Sequence, residues 1–274
     1  MQKSDSTINV NLANKQRLTI RIGRNTLSFV MPLEGEQNIV YEPFVVKSGI
    51  SMAANLREAF KQADLLLQAP PRVRVSIDSD VLLVPVETFN EKDIEALHNH
   101  AFPRQEHDAM YYNVLPDLNA VAVFSMNRDL RLVIDDHFQD VRLVTAISPV
   151  WRHLHQRSFT GSYQKLYGYF HENRLEVFSF QQNRFKFSNS YETARTKDAI
   201  YYLLYIWNQL QMDAAHDELH LVGEIPDEEA LVEGLKTYLD KVYVIKPAVD
   251  FNNHPVTQIK GMPYDLMTLI AKGR

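Results

Sequence analysis

One order of elements is written twice along the chain, and it restricts the fold more than any single motif. Apolar alternation predicts strands at Leu18–Ile22, Thr26–Met31 and Asn38–Val46. A helix over 51–68 follows, with Met52, Leu56, Ala59, Phe60, Ala63, Leu66 and Leu67 as its apolar stripe, and then a strand through Val73, Val75 and Ile77. Gly23-Arg24-Asn25 and Gly35 mark the turns, since Gly and Asn tolerate positive φ, and Pro70-Pro71 stops the helix. The second half repeats the order. Strands fall at Leu166–Phe170, Leu175–Phe180 and Phe185–Tyr191, a helix at 193–212, and a strand at Glu218–Val222. That helix is apolar nearly all round, so burial on most sides is expected. Identity between the copies is negligible; the repeat lies in the order of elements, not in residues.

Other segments fill in around the two copies. A strand at Val81–Val86 leads to a helix with Asn90 as N-cap and Phe89 and Ile94 placed as a hydrophobic staple. Strands at Ala109–Leu115 and Ala120–Ser125 complete an insert. A helix at 127–137, a strand at Val141–Thr145 and a helix at 149–157 join it to the second copy. After the second copy, Asp227 is placed to cap a helix reaching Leu239; the strand Val242–Ile245, a loop over 247–261 and a short helix from Pro263 follow. Residues 1–16 are polar and read as a frayed arm. The expected domains are 17–157, with the insert at about 80–125, and 158–274.

Composition excludes several function classes. The net charge of −5 argues against sequence-independent nucleic-acid binding, where excess Lys and Arg supply the affinity. With no cysteine there are no disulfides, thiolate nucleophiles or Cys-based zinc sites. No apolar run approaches the roughly 18 residues of a spanning helix, and the N-terminal stretch lacks the apolar segment of a secretory signal. A cytoplasmic protein is expected.

The candidate chemical motifs carry little. His98 and His100, like His153 and His155, are two apart, about 200° around a helix, and cannot face one metal together. Asp78-Ser79-Asp80 reads as a turn and Asp135-Asp136-His137 as a polar helix end. Ser162-Tyr163-Gln164-Lys165 matches Ser-x-x-Lys but leads into a strand, where alternation points the two side chains apart. Tyr201, Tyr202, Tyr205 and Trp207 form an aromatic group on the second long helix, read chiefly as core, with a partner surface as the alternative. No metal site and no catalytic residue is expected.

The element order resembles the actin-like ATPase superfamily, which includes actin, sugar kinases, the division protein FtsA and the pilus-assembly protein PilM. Each half of that fold opens with a hairpin, a third strand and a helix. The insert, with Leu82-Leu83-Val84-Pro85-Val86-Glu87 followed by Asp93-Ile94-Glu95-Ala96-Leu97, is similar to the extra subdomain of FtsA and PilM. The resemblance covers about 17–246 and implies an α/β, duplicated, ribonuclease H-like two-lobed fold with a strand-helix-strand-strand insert in the first lobe. A Bacteroidetes-type bacterial family of unknown function is implied. The superfamily places Asp-x-Gly at each hairpin turn, where Asp holds metal-bound water and Gly lets amides approach phosphates. Here the first turn reads Arg21-Ile22-Gly23 and the second Phe170-His171-Glu172-Asn173. Two adjacent glycines are wanted after the late strand, where the chain reads Leu221-Val222-Gly223-Glu224. The resemblance therefore implies a vestigial nucleotide site at Arg21, Gly23 and Gly223. It implies no bound cofactor and a non-catalytic pseudo-ATPase scaffold with an unknown protein partner. The alternatives are an atypical nucleotide- or sugar-binding enzyme using Arg21 or Arg24 against a phosphate, and a pilus or secretion accessory protein.

Overall fold

The computed structural model describes residues 17–33, 38–103 and 107–272. The N-terminal arm at 1–16 and the turn at Gly35 lie outside these residues. The chain divides into two compact units, one running through Val114 and resuming at Val121–Ile147, the other comprising Leu115–Ala120 and the chain from Ser148 onward.

In the first unit, β1 (Leu18–Ile22) pairs antiparallel with β2 (Leu27–Pro32), which pairs antiparallel with β3 (Ile39–Phe44). On its other side β1 pairs in parallel with β4 (Arg72–Ile77), which pairs in parallel with the edge strand Asp140–Thr145. Leu18, Ile20 and Ile22 alternate onto one face and join Leu27, Phe29, Val73 and Val75 beneath α1 (Met52–Gln62), which contributes Ala53, Leu56 and Ala59. Each large apolar side chain so buried stabilises by about 1.5–3 kcal/mol. Ser51 caps α1 by accepting from the Ala54 N–H, and the fully buried Asn55 amide exchanges hydrogen bonds with the Lys47 backbone.

The long helix expected over 51–68 is broken. Ala63 is extended, and a short α2 (Asp64–Leu67) begins after it. The cause is remote in sequence: Glu42 of β3 accepts from the Asp64 and Leu65 N–H groups, supplying an acidic cap that a continuous helix would not need.

The insert has its own three-stranded sheet. β5 (Val81–Pro85), β7 (Ala120–Asn127) and β6 (Asp108–Leu115) lie in that spatial order, beside α3 (Ile94–Ala101). None of them enters the five-stranded sheet. Val121 and Val123 of β7 face the insert's core with Val84, Phe89 and Ile94, whereas Phe124 and Met126 face the main core. One strand thus serves two cores. Asn127 then caps α4 (Arg128–Asp135), and β8 is the edge strand Asp140–Thr145. Asn113 of β6 covers that edge: its amide donates to the Leu143 carbonyl and its oxygen accepts from the Thr145 N–H. A side chain here imitates a neighbouring strand.

The second unit repeats the first sheet's order. β9 (Lys165–His171), β10 (Arg174–Gln181), β11 (Arg184–Glu192), β12 (Glu218–Gly223) and β13 (Val242–Val244) give β11-β10-β9-β12-β13, matching β3-β2-β1-β4-β8. The helix α5 (Ser148–Ser158) belongs to this unit and not to the expected first domain of 17–157, because Trp151 packs edge-on against Phe178 and Phe185. On the opposite face, α6 (Thr196–Gln209) and α7 (Glu228–Lys236) cover Leu166, Leu175, Val177, Leu219 and Leu221. α6 is fully buried on one face only, through Ala199, Leu203, Ile206 and Trp207; Tyr201 and Tyr205 are exposed, which corrects the expected burial on most sides. Asp227 stands at the start of α7 with left-handed backbone and no side-chain cap bond, unlike the cap the sequence suggested. The segment 247–261, expected as loop, contains α8 (Pro247–Asp250) and a 3-10 turn at Pro255–Gln258, and α9 (Tyr264–Lys272) packs on α5. Among the described residues no helix is long and apolar enough to cross a membrane.

Replacing Asn113 by Leu keeps its approximate size but removes both of its hydrogen bonds to the β8 backbone. Chemical denaturation should show the first unit destabilised by about 1–3 kcal/mol, with the earliest amide exchange at Thr145.

Candidate functional site

The first hairpin turn is closed without positive φ. Neither Gly23 nor Asn25 adopts left-handed backbone, contrary to the sequence expectation. Instead the Gly23 N–H donates to the Thr26 carbonyl, and the Arg21 guanidinium donates to Thr26 Oγ1 at 2.9 Å. Arg21 is 2% exposed and shares its rung of the sheet with Ser28 and Ser76, on the face opposite the α1 core. Arg24 reaches across to Asp80 at 2.7 Å. Both arginines are therefore engaged within their own unit, the second by a partly exposed pair of modest worth.

The second hairpin turn has two residues, Glu172 and Asn173, at φ 44° and 60°. Left-handed backbone at both central positions is the geometry that suits a two-residue hairpin's twist. Gly223 lies elsewhere in the same unit, at φ 96°, and a Cβ there would stand 2.1 Å from the Phe170 carbonyl oxygen. The next residue, Glu224, donates its N–H to that same oxygen. The end of β12 is thus pressed against the end of β9, and only glycine allows the approach. Of the three predicted site residues, Arg21 and Gly23 belong to one unit and Gly223 to the other, and each has a role in its own hairpin or strand end.

The other candidates resolve singly. His98 is buried against Phe102 and approaches the Asp80 carbonyl; His137 stacks on Phe60 and bonds the Val133 carbonyl; His155 bonds the Gln182 carbonyl. Lys165 directs its ammonium to the Arg157 carbonyl and to Thr160. Burial lowers its pKa, and Glu218 partly offsets that effect. Among the described residues no group of three His, Asp or Glu side chains converges on a metal position.

The densest polar constellation was not singled out from the sequence. Asp250 of α8, with a side chain 1% exposed, receives His153 Nε2 at 2.8 Å, the Tyr264 hydroxyl at 2.6 Å and an Arg157 guanidinium N–H. Burial alone would raise the Asp250 carboxyl, but hydrogen bonds from His153 and Tyr264 and the nearby charges hold it below its ordinary value. Burial, reinforced by Asp250, raises the Tyr264 phenol. His153 and Arg157 are four apart on α5, a spacing that puts them on one helix face. That spacing was the available signal; Asp250 was hidden because its segment read as loop. Nearby, His220 lies between Tyr167 and Tyr243, with ring centroids 5.5 and 5.2 Å away, and bonds Glu218 at 2.9 Å.

Comparison with solved structures matches this architecture to a protein with an actin-like ATPase fold and unknown function from Bacteroides thetaiotaomicron. It is 26% identical, with a TM-score of 0.80, covering 94% of this chain and 100% of that one. The PilM-PilN type IV pilus biogenesis complex matches at 13% identity and a TM-score of 0.53, covering 85% and 89% respectively, a likeness of fold. The duplicated actin-like α/β fold implied by the sequence is therefore the fold of this chain. Comparison with curated proteins gives no match. A family model described as protein of unknown function (DUF3822) matches residues 5–242.

Two outcomes follow from the second unit's geometry. Gly223→Ala should cost about 3 kcal/mol, from overpacking and a strained φ together, read as a lowered unfolding midpoint. The other concerns pH. Burial lowers the His220 pKa from its ordinary 6.5, outweighing the Glu218 hydrogen bond. The unfolded chain then binds more protons, so this stability is complete above pH 6.5 and is lost as the pH falls toward the folded value. Asp250, also lowered, has the same sign at lower pH. Unfolding midpoints measured from pH 8 to 4 should fall, and His220→Gln should flatten the upper part of that fall.

Proposed function

The chain belongs to the family described as protein of unknown function (DUF3822), and on that premise we propose that it works as a non-catalytic actin-like scaffold, acting through protein contacts. The observation that carries this reading is Arg21. At the turn where the superfamily resemblance calls for a metal-organising carboxylate, a buried guanidinium is tied to Thr26. An arginine there can pair with a phosphate but cannot organise the water shell of magnesium.

Two further features support the reading. Glu172 puts a carboxylate at the second turn, where phosphate would need glycine amides, and Glu224 follows the lone Gly223. Gly223 is required by the Phe170 carbonyl, so its presence needs no nucleotide. The PilM-PilN complex offers a precedent of fold, since there the similar fold occurs in a complex with a second protein.

Each missing contact to a triphosphate costs about 1–3 kcal/mol, and losing three takes a micromolar site to millimolar or weaker. Titration calorimetry with ATP and magnesium should show no binding in the micromolar range. A dissociation constant below about 10 µM, or turnover abolished by Arg21→Ala, would overturn the scaffold reading.

A further inference from the structure

A cleft of about 350 Å³ opens in the second unit beside the Asp250 cluster. Its volume is within the range of small-molecule sites, about 300–1,000 Å³. One wall is polar and fixed. Asp250 is itself held by His153 and Tyr264, so the Arg157 guanidinium that it grips is positioned by three buried groups. Arg157 nevertheless remains 41% exposed at the cleft, and one N–H of its fork accounts for its side-chain bond to Asp250. The same cleft also offers accessible apolar surface: Val249 is 79% exposed and Tyr243 46% exposed. One face of the Tyr243 ring stacks on His220, which fixes its plane.

Charge decides the ligand class. Of the charged side chains lining the cleft, Arg157 and Lys246 are positive and Asp250 and Glu218 negative; Lys165 stands behind Glu218, and Glu228 pairs Lys246. Lys246 is already taken up by both oxygens of Glu228. The charges of these carboxylates and basic side chains balance. The cleft can therefore accept one added negative charge through the remaining Arg157 donors, whereas a dianionic phosphate would be repelled by Asp250 and Glu218. We propose that this cleft binds a small organic monocarboxylate carrying a flat apolar group, with the carboxylate on the Arg157 fork and the apolar part against Tyr243 and Val249. This site is independent of the scaffold reading, since it lies within the second unit and involves none of the nucleotide-motif positions.

The test uses the full chain and three probes of similar size: phenylacetate, phenyl phosphate and benzylamine. Amide chemical-shift mapping should show phenylacetate binding with a dissociation constant of about 1 mM or tighter, with the largest shifts at Val244, Lys246 and Val249. Phenyl phosphate should bind more weakly and benzylamine not at this site. Val249→Glu, at an exposed position that leaves the core intact, should weaken phenylacetate about tenfold, and Arg157→Gln should abolish its binding. Should Arg157→Gln fail to fold, the Val249→Glu result decides alone. No phenylacetate binding at about 10 mM, equal binding of benzylamine, tighter binding of phenyl phosphate, or indifference to Val249→Glu would each overturn the proposal.

Discussion

Each unit depends on one strand that is paired on both sides and covered on both faces. Every residue of β1 and of β9 is buried. Each is antiparallel to the strand after it and parallel to a strand that arrives after the next long helix. A parallel partner cannot be reached by a tight turn, so a crossover is obligatory, and helices are the economical crossover. The remaining elements are then constrained: one set of helices for the first face, another covering for the second, and a parallel fifth strand at the edge.

The two units satisfy that constraint with different material. On the face of β1 away from α1, the buried groups include Thr19, Arg21, Ser28 and Ser76. On the corresponding face of β9 lie Tyr167, stacked on Phe178, which meets Trp151 edge-on, and Tyr169, stacked on His171. A polar layer must be satisfied bond by bond, whereas an aromatic layer is satisfied by area and ring geometry. The same topology therefore tolerates almost complete divergence of sequence between its copies.

This contrast explains what could be read from the chain. Strand order, the duplication and the separate insert were legible because alternation and turn residues report local preference, and Val81–Pro85 stays out of the main sheet as expected. The break at Ala63 was not legible, since its cause, Glu42, lies two elements upstream. Nor was the left-handed pair Glu172-Asn173, where hairpin twist overrides the preference of glutamate. The Arg157 cluster was half visible: helix spacing aligned two of its members, but Asp250 and Tyr264 reach it only through the packing of α8 and α9.

Gly223 answers to the oxygen of Phe170. Its place in the chain is enforced by a carbonyl of the same unit, so it would persist under selection for folding alone, whatever became of any ligand. A glycine of this kind is a poor witness to ancestry of function. In a relative of this chain, a side chain at the same position would report a re-set hairpin, and the position would say nothing about whether that relative ever turned over a nucleotide.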